Sequence, residues 1–116
     1  MPHRAEPSLG RQAYVNAVLA LYRAAPGTCG HVRKADLNLA RSLHERGVAL
    51  QTVDDAISVA LCRRLVRSNP PTEPIRSLYY FFAVIEELLA GPLDAEYIEY
   101  LRGCLTRHLA RASQHP

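Results

Sequence analysis

The chain has 116 residues, 48% of them hydrophobic and 22% charged, with a formal net charge of +3. That length suits one domain with its own core, and that apolar content excludes a disordered chain. No apolar run approaches the roughly 18 residues of a membrane span, and the opening MPHRAEPSLG lacks the apolar stretch of a secretory signal. The three cysteines, Cys29, Cys62 and Cys104, are odd in number and widely spaced, which fits a reducing, cytoplasmic setting.

Charge is unevenly spread. Residues 1–35 carry five basic residues against Glu6, and residues 36–72 carry five against four acids. Residues 73–116 carry four against six, with Arg102, Arg107 and Arg111 as a late basic cluster. Thirteen of the fourteen basic residues are Arg. Both a GC-rich genome and phosphate recognition produce that bias.

Residues 1–8 read as a flexible leader, with Ser8 as a cap for the first helix. That helix is expected over about 9–25, with Val15, Val18, Leu19 and Tyr22 on its core face, stopped by Pro26-Gly27. PGTCGHVRKA is a loop. Its Cys29 and His31 are too few to make a metal site, so no metal is expected. Asp36 is placed to cap a second helix over about 37–46, and Gly47 to end it in the left-handed conformation.

A third helix is expected over about 50–67, with Val53, Ile57, Leu61 and Leu65 in register and Ala56 and Ala60 as close-approach positions. Its end carries Arg63, Arg64 and Arg67. Arg63 and Arg67 are candidate phosphate contacts, although bases at a helix end also complement the macrodipole. SNPPTE is a tight crossover. PIRSLYYFFAVIEELL is the most apolar segment, and the pattern predicts a central helix over 74–90 with Ile75, Leu78, Phe82, Ile85 and Leu89 along one face. Phe81, Val84 and Leu88 form a second stripe beside it, and Pro74 suits a first helical turn. A last helix is expected over about 95–112, capped by Asp94, with Tyr97, Leu101, Cys104, Leu105 and His108 inward and a frayed tail after it. The expected fold is all-α: a compact bundle of about five helices in a single domain over 9–112, with short connections.

No catalytic constellation is visible. There is no phosphate-binding glycine loop, paired-cysteine motif or nucleophile elbow, so neither an enzyme nor a cofactor is expected. Glu86 and Glu87 diverge by about 100° on a helix and cannot share a substrate atom as a dyad; Glu87 is expected either to face solvent or to meet an Arg of an adjacent helix, and Glu86, nearer the apolar part, to be a paired interior charge. Arg76 and Tyr80, four apart on the polar strip of the apolar helix, combine a cation with a stacking ring.

The segment LARSLHERGVALQTVDDAI resembles the helix-turn-helix of bacterial DNA-binding proteins. Leu43 replaces the small residue of that motif, and Asp54 and Asp55 open the would-be recognition helix, so a plain helical hairpin fits the same residues. Across residues 36–102, the Gly-Val turn, V-x-x-A-I, the Arg-rich helix end, PIRSLYYFFAVIEELL and Y-I-x-Y-L-R resemble small, mostly uncharacterised helical proteins of bacteria associated with mobile genetic elements. Val53, Ala56 and Ile57, followed by Ser77, Tyr79 or Tyr80, and Ile85, are distantly similar to the DnaD-like helical domain of replication-initiation proteins. That resemblance implies work on DNA with protein partners.

The expectation is therefore a non-catalytic nucleic-acid-binding accessory module in a larger assembly. Candidate contacts are Arg33, Lys34, Arg63, Arg67, Arg76 and Tyr80. The alternative is a protein-interaction subunit using Tyr79, Tyr80 and Phe81, and self-association is a third reading.

Overall fold

A computed structural model describes residues 10–67, 69 and 71–113. The expected leader, the Ser8 cap and residues 114–116 of the expected tail lie outside the described residues. Among the described residues the protein is an all-α bundle of five helices: α1 (Arg11–Ala24), α2 (Lys34–Glu45), α3 (Leu50–Leu65), α4 (Phe82–Ala90) and α5 (Ala95–Ser113). A 3-10 turn at Leu78–Phe81 leads into α4.

Helix α1 buries Tyr14, Val15, Val18, Leu19 and Tyr22, the face that its spacing predicts. Tyr14 also donates its hydroxyl to the Val48 carbonyl at 2.7 Å, which ties the start of α1 to the α2–α3 turn. That turn is a Schellman motif. The Gly47 N–H donates to His44 O and the Val48 N–H to Leu43 O, both at 3.0 Å, while Gly47 sits at φ +72°. Val48 then packs beside Leu43 in the core, the contact that accompanies this cap.

The enclosed helix is α3, in place of the expected α4. From Ala56 to Cys62 every residue is buried, and α3 touches α1, α4, α5 and the 3-10 turn. Ala56, Ser58, Ala60 and Cys62 explain this: small side chains around a helix let neighbours approach on several sides. Helix α4 is amphipathic despite its composition. Leu78, Phe81, Ile85 and Leu88 face inward, whereas Leu89 is exposed and Phe82 only partly covered. Its two apolar stripes are nearly equal in sequence, and the inward phase is set by how α4 docks on α3.

The segment before α4 also differs from expectation. Residues 74–77 are extended, not helical. Ile75 donates to Gly27 O at 2.7 Å and accepts from Cys29 N–H at 2.8 Å, so its backbone is held by the α1–α2 loop. Pro74 therefore starts no helix; Ser77 is the cap, its hydroxyl accepting from Tyr79 N–H at 3.1 Å.

Asp36 is likewise displaced from its expected role. Helix α2 starts at Lys34, so Asp36 lies inside its first turn and is fully buried. On α5, Ile98 is the buried residue, and the expected inner residues Tyr97 and His108 are exposed. The helix docks through the Ile98, Leu101 and Leu105 side, so the expected Leu101 and Leu105 do turn inward while the expected stripe reaches too far round the helix at Tyr97 and His108.

Candidate nucleic-acid interface

The chain connections bring four element ends to one pole of the bundle. The loop after α1 pairs with Ile75. The start of α2 meets Ser77 and Leu78 through Asp36, whose Oδ1 accepts from the Ser77 hydroxyl at 3.0 Å and from the Leu78 N–H at 2.9 Å. Its Oδ2 accepts from the Arg33 N–H at 2.9 Å. The end of α3 meets the same region through Arg64, which donates to the Glu73 carbonyl and to the Tyr80 hydroxyl. The Arg64 guanidinium stands over the Tyr80 ring, 5.6 Å from its centroid.

Five cations stand exposed on these element ends: Arg23, Arg33, Lys34, Arg67 and Arg76. None of them makes an ion pair among the described residues. Tyr79 and Tyr80 are exposed beside Arg76, at 49% and 37%. Asp36 contributes a carboxylate here, but it is buried and occupied by three donors. Glu73 is the one exposed acid on these ends among the described residues.

Four of the eight other described acids are taken up in ion pairs elsewhere. Arg46 grips Glu86 in a two-pronged pair at 2.8 and 2.9 Å. Arg63 grips Glu87 likewise at 2.8 and 2.6 Å. Each guanidinium holds its partner's carboxyl below the usual carboxylate range, and each carboxylate in turn raises its arginine. Arg102 binds Asp55 at 2.5 Å and Asp54 at 3.6 Å.

The expected contact residues thus separate. Arg33, Lys34, Arg67 and Arg76 belong to the basic pole. Arg63 is committed to Glu87, which thus takes the Arg-paired one of the two expected outcomes. Arg76 and Tyr80 do not share a helical strip, because Arg76 precedes the helix; the cation on Tyr80 is Arg64. Phe81 is fully buried and is removed from the expected Tyr79–Phe81 interaction surface. The helix-turn-helix geometry is also unavailable, since α3 is enclosed and its acidic start is tied to Arg102. Sequence reasoning missed Arg23 as a member of the pole, because only the fold returns the end of α1 to the start of α2.

The Cys29–His31 loop is exposed at this pole, and no group of metal-ligating side chains occurs among the described residues. No helix among them is long and apolar enough to cross a membrane. Tyr22, beneath the pole, has a fully buried hydroxyl that makes no hydrogen bond among the described residues. Burial first, then the neighbouring Cys29 thiol, pushes its pKa up to about 12.

Comparison with protein-family models, with curated proteins and with solved structures finds no match to this chain. The class that the fold and its surface define is a small all-α protein with a basic pole.

Proposed function

We propose that this protein is a non-catalytic accessory module that binds nucleic acid through its basic pole, within a larger assembly of the mobile-element or replication type. The observation that carries this reading is the meeting of Arg23, Arg33, Lys34, Arg67 and Arg76, all exposed and free of ion pairs among the described residues, at one end of the bundle. Exposed cations that need no rearrangement can replace the counterions of a phosphate backbone. Tyr79 and Tyr80 add ring faces at the rim of the same region, where an unstacked base can lie. The assembly context rests on the sequence resemblance alone.

The test is fluorescence anisotropy of the full chain with short single- and double-stranded DNA and RNA at two salt concentrations. Binding should weaken steeply with salt. Arg33→Glu with Lys34→Glu and Arg76→Glu should abolish it. Arg11→Glu, at the opposite end of α1, should leave most of it. Absence of binding to every probe at low salt, or equal losses from Arg11→Glu and from the pole variants, would overturn the proposal.

A further inference from the structure

Helix α5 is the least covered element of the bundle. Ile98 is its one buried described side chain, while Leu101, Cys104, Leu105 and Leu109 are half-buried. Tyr97 and Tyr100 are exposed and stacked on each other, centroids 6.4 Å apart and planes 20° from parallel. At the end of α3, Val66 is likewise exposed, at 80%, one turn beyond Cys62, whose thiol donates to the α5 carbonyl of Leu101.

Tyr97, Tyr100, Cys104, Arg107 and Arg111 recur at spacings of three and four and so form one stripe beside the face that docks on α3. The Arg107 guanidinium folds back along it to the Cys104 sulfur at 3.3 Å. Glu96 and Glu99 flank the first half of the stripe and Arg107 and Arg111 hold the second; none of the four is in an ion pair among the described residues. That order also suits the dipole of α5 itself. Tyr100 also interacts with the Cys104 thiol, yet about half or more of each ring of the aromatic pair stays exposed.

The stripe is complementary to its own reverse. Tyr97 and Arg111 each lie two turns from Cys104, on opposite sides of it. A second α5 laid antiparallel across a two-fold axis at Cys104 would set Tyr97 and Tyr100 against the partner's Arg111 and Arg107. It would also bring Glu96 within reach of the same arginines, with Glu99 at the outer edge of the contact. A parallel copy would set acid against acid and base against base. We propose that the occupant of this face is a second copy of the chain, forming a two-fold dimer through antiparallel α5 helices. The proposal is independent of nucleic-acid binding at the basic pole.

The experiment is sedimentation velocity of the full chain over a concentration series. The mass should rise from 12.9 kDa towards twice that value. Glu96→Arg with Glu99→Arg, and separately Arg107→Glu with Arg111→Glu, should each give monomers. An equimolar mixture of the two variants should recover the dimer. Tyr97→Ala with Tyr100→Ala, which leaves the charges in place, should also lose it. All these positions are exposed, and circular dichroism of each variant checks that its helices are kept. A mass that stays monomeric throughout the series overturns the proposal. So does a dimer indifferent to both charge reversals, or a mixture that fails to recover it.

Discussion

The Asp36 carboxylate accepts from the Leu78 N–H at 2.9 Å, across 42 residues of sequence. One buried side chain thereby caps two helix starts, since it also receives the Arg33 N–H at the head of α2 and the Ser77 hydroxyl ahead of the 3-10 turn. Removing it would leave two backbone donors without their acceptor, and charged acceptors are worth more than neutral ones. Asp36→Ala should lower the unfolding free energy by about 3 kcal/mol, and Ser77→Ala, which removes one cap, by about 1 kcal/mol. Urea denaturation checks both. A loss below about 0.5 kcal/mol for Asp36→Ala would mean that the carboxylate is not holding the two elements together.

This bond also marks where sequence reading stops. Gly47 and the α2–α3 turn are legible because a Schellman motif is written in consecutive residues. The core face of α1 is legible because one stripe is clearly more apolar than the rest. The start of α4 is not: Ile75 fits a helical period, yet its backbone is claimed by Gly27 and Cys29 from a distant loop. Asp36 shows the same limit, because an acid near a helix start looks like a cap whether it serves one helix or two. Four cations of the basic pole were nameable from sequence. That Arg63 is spent on Glu87, and that Arg23 returns to the group, depends on the packing of α3 and α1.

Tyr14 and Tyr22 lie on the same face of α1 and should respond oppositely to loss of the hydroxyl. Tyr14 has a buried hydrogen bond to Val48 O, and burial raises its pKa. Tyr14→Phe would orphan that carbonyl and should cost about 1 kcal/mol. The Tyr22 hydroxyl is buried with only the weakly bonding thiol of Cys29 beside it, so Tyr22→Phe relieves a poorly paired, desolvated polar group and should be neutral or stabilise by up to about 1 kcal/mol. Paired thermal melts of the two variants separate these outcomes. A clear loss for Tyr22→Phe would show that its hydroxyl has a partner in solution.

The pairs Arg46–Glu86 and Arg63–Glu87 predict a defined response to acid. Their carboxyls are held below the ordinary range by the adjacent guanidinium groups. A depressed folded-state pKa contributes stability above the unfolded value, about 4.3 for Glu, and that contribution is lost as pH falls through the folded value. Wild type should therefore lose stability on acidification through and below that range. Glu86→Gln with Glu87→Gln should start lower at neutral pH and show a shallower decline, the two curves converging in acid. Denaturation midpoints measured across this range test the sign. All four side chains are 41–50% exposed, so the effect is small and should shrink further in high salt.

The three thiols should react in a fixed order. Cys29 lies exposed in the α1–α2 loop, Cys104 is half-buried on α5 with Arg107 at its sulfur, and Cys62 is buried in α3. Burial first, then the proximity of Cys104, raises the Cys62 pKa, so its reactive thiolate is depleted near neutral pH as well as shielded. A thiol-reactive chromogenic reagent should label Cys29 fastest, Cys104 next, and Cys62 chiefly after denaturant is added. Cys29→Ser should remove the fast phase alone. The middle phase carries a second message. If two α5 helices meet at Cys104, its labelling should slow as protein concentration rises, while that of Cys29 stays constant. A Cys104 rate independent of concentration across a range where the mass doubles would place the dimer contact elsewhere.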